Sequence, residues 1–133
     1  MMPAGKYYVG DLCYVMHPQW SEFCDITIPG NKVLDGEFKL KNGVRFATFG
    51  TWCGDGTYQD NSGNSYSVDA GLIGCILVSD IKDPKAEALY SLGNIKDFNE
   101  PFTPYSEDGK IWFGNTCVDT NPDYEDEEEE ESD

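Results

Sequence analysis

The sequence predicts a mainly β fold of α+β character, over residues 1–121: a twisted antiparallel sheet or small sandwich with one or two short helices. Three observations lead there. Turn residues recur at short intervals, as they do in β-rich domains. Asn42-Gly43 stands between two alternating runs, which is the strongest short-range hairpin signal. The continuous apolar run 72–78 has the character of a strand buried on both faces.

The elements follow in chain order. Residues 7–9 and 12–16 are β-prone runs separated by Gly10-Asp11. Residues 18–25 place Trp20, Phe23 and Cys24 at the spacing of a buried helical stripe. In residues 37–41, Phe38 and Leu40 share a face. After Asn42-Gly43, Val44, Phe46 and Thr48 alternate against Arg45, Ala47 and Phe49, with both central turn residues expected at positive φ. A second hairpin is predicted from 57–60 and 65–69 around Asn61-Ser62-Gly63-Asn64, with Tyr58 and Tyr66 as a cross-strand pair. Gly74, inside the apolar run, marks a bulge or a close backbone approach. Asp83 can cap a second helix that starts at Pro84 and ends at Gly93. Short strands at 110–113 and 116–119 follow the Asp108-Gly109 turn.

Charge divides the chain. The net charge is −16, and nine of the twenty-five acids fall between Asp123 and Asp133 with no base among them. A block of like charge repels itself, so 122–133 is expected to be a disordered acidic tail. The sixteen acids and nine bases upstream still leave the body negative. Such a body repels phosphates, which argues against direct nucleic-acid binding and leaves a basic protein partner open.

No run approaches the roughly 20 apolar residues of a membrane span, and the first residues lack the apolar core of a secretory signal. The five cysteines are odd in number, scattered and without a Cys-x-x-Cys pair, so they are expected to be reduced thiols in the cytoplasm. His17 is the only histidine, and no metal or cofactor is expected.

Aspartates beside glycines are the clearest chemical feature: Asp11 after Gly10, Asp55 between Gly54 and Gly56, and Asp69 two residues before Gly71. Glycine lets main-chain groups approach a ligand, and a nearby carboxylate can bind a hydroxyl or a cation. Asp60 to Asn64 spaces oxygens as a calcium loop does. Ser65 and Gly71 then stand where such a loop needs glycine and glutamate, so the loop is not a calcium site. Cys13 and His17 are close in sequence, but Cys13 lies in an apolar run where a thiolate is not stabilised.

The segments Gly10-Asp11-Leu12-Cys13-Tyr14-Val15, Gly54-Asp55-Gly56-Thr57-Tyr58 and Tyr66-Ser67-Val68-Asp69-Ala70-Gly71 resemble markers of a family of uncharacterised bacterial and phage proteins of unknown function. Leu12 stands where that family has proline, and the Gly-Asp-Gly turn here precedes the Val-Asp-Ala-Gly segment. The resemblance implies a β-rich fold and marks Asp11, Asp55, Tyr58 and Asp69 as ligand-binding candidates.

The function expected is a non-enzymatic binding or accessory protein, of phage or viral origin, engaging a host protein or a small ligand. Two alternatives stand beside it: a hydrolytic or metal-assisted enzyme built on Asp11, Asp55 and Asp69, and an acidic nucleic-acid mimic that inhibits a basic DNA-binding protein.

Overall fold

The computed structural model describes residues 1–121. The acidic tail expected at 122–133 lies outside the described residues. Ten strands run in chain order: β1 (Gly5–Gly10), β2 (Gly36–Lys39), β3 (Arg45–Gly50), β4 (Gly56–Gln59) and β5 (Ser65–Val68), then β6 (Leu72–Leu77), β7 (Asn94–Phe98), β8 (Tyr105–Glu107), β9 (Lys110–Phe113) and β10 (Thr116–Asp119). One α-helix, α1, spans Trp20–Thr27. The fold is mainly β, with antiparallel sheets and short helical segments.

A five-stranded sheet in the order β2-β3-β6-β1-β7 forms the middle of the molecule. Its side chains alternate between two apolar clusters. On one face Tyr7, Val9, Ala47, Phe49, Ile73 and Cys75 pack against Tyr66 and Val68 of the β4–β5 hairpin, and against Ile111, Phe113 and Val118 of the β8-β9-β10 sheet. On the other, Tyr8, Phe46, Leu72 and Ile76 pack against Leu12, Val15, Met16 and Phe23. Burial on both faces accounts for the unbroken apolar run of β6, whose first five residues are all buried. Gly74 is the close approach expected there. A Cβ on it would meet Leu12 Cδ1 at 2.9 Å and the Ala47 carbonyl oxygen, so the residue at 74 decides how closely the Leu12 segment sits on the sheet.

The first hairpin is present with a different turn. Leu40 N donates to Val44 O at 2.8 Å and Gly43 N to Leu40 O at 2.9 Å, so the loop has three residues, 41–43. Only Gly43 takes positive φ (93°); Asn42 instead accepts Val44 N on its side-chain oxygen at 3.0 Å. This is a tight turn closed by a left-handed glycine, not the two-residue turn the dipeptide suggested. The second hairpin has the expected register, with Tyr58 directly opposite Tyr66.

Residues 12–16 are not a strand. Leu12–Tyr14 forms a 3-10 turn, because the Asp11 side chain accepts the Cys13 amide and bends the chain back over the sheet. Residues 86–92 form a 3-10 helix in place of the expected α-helix, with Asp83 accepting Lys85 N at 2.9 Å just before it. Ala86 is its one fully buried residue, so no continuous apolar stripe stabilises regular α geometry. The first helix begins two residues later than its apolar spacing suggested, after a 3-10 turn at His17–Gln19.

Candidate functional site

The four residues marked in the sequence come together where β1 ends, β4 begins and β5 turns into β6. Asp11 is fully buried. One carboxylate oxygen accepts Cys13 N at 2.9 Å; the other accepts the amides of Asp69 at 2.8 Å and Ala70 at 2.6 Å. Asp69 thus contributes its backbone here, while its side chain is exposed. Tyr58 donates its hydroxyl to the Gly54 carbonyl at 2.7 Å, and Thr51 donates to the same oxygen at 2.7 Å. Asp55, exposed on that turn, places an oxygen 3.8 Å from where a Cβ on Gly71 would lie.

This junction closes three chain segments onto one another. Burial, reinforced by the charge and hydrogen bonding of Asp11 and by the charges of Asp69 and Asp55, pushes the Cys13 thiol far above its ordinary range. A thiol held protonated is a poor nucleophile. Among the described residues, no group of three or more His, Cys, Asp or Glu is arranged to hold a metal ion. No helix among them is long and apolar enough to cross a membrane.

A second buried carboxylate, Asp60, organises the loop rejected above as a calcium site. It accepts Ser62 N at 2.9 Å, Asn64 N at 3.0 Å and the Tyr66 hydroxyl at 2.7 Å, and pairs with Lys96 Nζ at 3.1 Å. Burial alone would raise its pKa. The hydrogen bonds from Tyr66, Asn64, Ser62 and Lys96 outweigh that and hold it down at about 2. The Asp60 oxygens are engaged by the loop's own amides and by Tyr66, and Lys96 on β7 supplies the positive charge.

The outward-facing side of β8-β9-β10 differs. Strand pairing sets Tyr105, Trp112 and Cys117 in one row, and Glu107, Lys110 and Asp119 in the next. Ile111 and Phe113 point inward to the core, so Trp112 and Lys110 point outward. Tyr105 is 48% exposed and stacks on Trp112, with centroids 6.3 Å apart and planes 15° from parallel. Trp52, 54% exposed, lies against the Asp108-Gly109 turn of the same sheet; its Cδ2 is 2.9 Å from where a Cβ on Gly109 would be. The sequence placed Trp112 in a strand at 110–113 without giving it a face, and it did not reveal β8, whose three residues alternate too briefly to stand out.

A cleft of about 490 Å³ opens beside this sheet, between the end of β7 and the β9–β10 turn. Phe98 forms an inner wall, and Lys96, Asp97, Asn99, Glu100 and Asn115 are among its polar lining residues.

The chain matches no known protein family, no curated protein and no solved structure.

Proposed function

We propose that this chain is a binding module for a basic segment of a protein partner, and that the outer face of β8-β9-β10 is where the partner docks. The observation that carries the reading is the stacked Tyr105–Trp112 pair, Tyr105 exposed and Trp112 half-buried, with Glu107, Lys110 and Asp119 in the neighbouring row, two carboxylates to one ammonium. Stacked aromatic faces attract guanidinium and ammonium groups, and carboxylates beside them add complementary charge. Tyr and Trp also dominate interface energetics, because they bury a large rigid surface at small entropic cost. The last described residue, Asn121, lies at this same sheet, where its side chain donates to Asp108 O at 2.7 Å.

Catalysis by Asp11, Asp55 and Asp69 has less support. The oxygens of Asp11 are engaged by three backbone amides, and the thiol beside it is held protonated. Nucleic-acid mimicry is the special case in which the basic partner is a DNA-binding protein. An accessory role in a phage or virus rests on the sequence segments quoted above, and a reducing, cytoplasmic setting rests on thiols such as Cys13, Cys24, Cys75 and Cys117.

Tryptophan fluorescence titrated with a short arginine- and lysine-rich peptide tests the reading. The expected result is saturable binding that weakens with salt and is reduced about tenfold by Trp112→Ala, in a variant that still unfolds cooperatively. Equal affinity in wild type and variant would remove the docking face from consideration. Competition by duplex DNA for a DNA-binding partner, absent with other basic partners, would single out mimicry.

A further inference from the structure

We propose that two copies of this chain pair through β2, edge to edge and antiparallel, with Phe38 on the two-fold axis. The inference stands on residues 36–41 and does not rest on the docking face above. β2 is the outer strand of the five-stranded sheet, so one side of its backbone has no strand beside it. The hairpin geometry fixes which groups lie on that side. Leu40 N donates to Val44 O, and bonded pairs alternate along an antiparallel ladder, so Phe38 and Gly36 also bond to β3. Glu37 and Lys39 therefore turn their amides and carbonyls outward, where no hydrogen bond occupies them among the described residues. Glu22 of α1 accepts the next outward amide, Lys41 N, at 2.7 Å and closes the edge at that end.

Charge selects a second copy as the occupant and sets its register. Outward groups must meet outward groups, so the axis falls on Glu37, Phe38 or Lys39. An axis on Glu37 or on Lys39 sets that residue against its own copy, and like charges directly opposite repel. An axis on Phe38 sets each Glu37 against Lys39 of the second copy, in pairs that also exchange backbone hydrogen bonds. Lys39 is open to such a contact: it is exposed, faces Arg45 across the ladder, and has no ion pair among the described residues. Glu37 meets the N-terminal ammonium at 2.8 Å and Arg45 at 3.4 Å, both through Oε1, so Oε2 remains for a further ammonium. On the opposite face Phe38 is half-buried and stacks on Phe46, with centroids 5.8 Å apart. It would meet its own copy in a non-bonded pair, where side chains of facing strands come closest. A contact of this length lies below the standard interface size, so the dimer is weak and forms at about 0.1 mM chain.

Sedimentation equilibrium on the full chain, from about 10 µM to about 1 mM, tests this at about 0.15 M salt, which screens the net negative charge. Wild type is expected to dimerise across that range. Lys39→Glu and Glu37→Lys, each measured alone, are expected to weaken dimerisation about tenfold or more, because each sets like charges opposite one another. An equimolar mixture of the two variants is expected to restore it, since every facing pair in the mixed dimer is again of opposite sign. Lys39→Pro, which removes only an outward amide, is expected to abolish the dimer and leave cooperative unfolding intact. It carries the test if Glu37→Lys fails to fold. A wild type that stays monomeric at about 1 mM overturns the proposal. So does a dimer that survives Lys39→Glu and Lys39→Pro, or a mixture of folded Lys39→Glu and Glu37→Lys chains that does not associate.

Discussion

The junction around Asp11 and the outer face of β8-β9-β10 are made of similar groups, carboxylates and aromatic rings, and use them in opposite directions. At the junction the groups that join the segments are turned inward and occupied, Asp11 by three amides and Gly54 O by the hydroxyls of Tyr58 and Thr51, while the Asp55 and Asp69 carboxylates stay exposed. On the outer face Tyr105, Glu107, Lys110 and Asp119 are turned to solvent, and the Tyr105–Trp112 stack is presented from the β8–β9 pair. Groups that satisfy one another stabilise a fold, whereas groups that point outward are available to something else. The division predicts that substitutions at the junction cost stability and substitutions on the face cost binding.

Asp11→Ala should have the largest effect. It leaves three amides in a closed junction without an acceptor, each worth about 1 kcal/mol or more, so a loss of about 3 kcal/mol is expected in urea unfolding. A loss below about 1 kcal/mol would mean that the junction does not close the fold.

Asp60 comes next. Its folded pKa of about 2 lies below the ordinary carboxylate value of 3.8, so the ionised form stabilises the native state by about 2 kcal/mol. Because the folded value is the lower one, that contribution is fully present above about pH 4 and is lost as the pH falls towards 2. Tyr66→Phe removes a hydrogen bond to the ionised form, so it should narrow the difference in stability between pH 5 and pH 2. An unchanged difference would detach Tyr66 from the acid response.

A smaller effect is expected from Gly43→Ala. With φ at 93°, an alanine there should cost about 1 kcal/mol by strain alone, since nothing lies within 4 Å of the added Cβ.

The smallest effect, and the most informative about the sequence, belongs to Asp69→Ala. Asp69 acts at the junction through its amide, so the substitution should change stability by less than about 0.5 kcal/mol and leave peptide binding unaltered.

The two regions were also unequally legible in the sequence. The apolar run of β6 identified a central strand, and alternation in residues 37–49 identified β2 and β3, because periodicity records which residues share a face; burial of both faces of β3 was not legible there. Asp11 stood out beside Gly10, but its role depends on amides nearly sixty residues away, which local pattern does not carry. The same holds for Lys96, whose partner Asp60 lies in another hairpin. β7 escaped notice because Asn94–Phe98 is an edge strand whose residues are all half-buried or exposed, so its pattern reads as polar surface. The stack of Tyr105 on Trp112 needed the β8–β9 register, and the cleft needed Phe98 brought to the β9–β10 turn. A residue's type was visible in the sequence; whether it faces inward or outward was set by long-range pairing.

One paired experiment tests the central claim most directly: the melting temperature and the affinity for an arginine-containing basic peptide, each measured on wild type, Asp11→Ala and Trp112→Ala. The account predicts a dissociation. Asp11→Ala should lower the melting temperature by several degrees and, below its transition, bind within about twofold of wild type, while Trp112→Ala should melt within a few degrees of wild type and bind about tenfold more weakly. If Asp11→Ala instead abolished binding at temperatures where it remains folded, and Trp112→Ala left binding untouched, the junction would be the functional site and the account would be wrong.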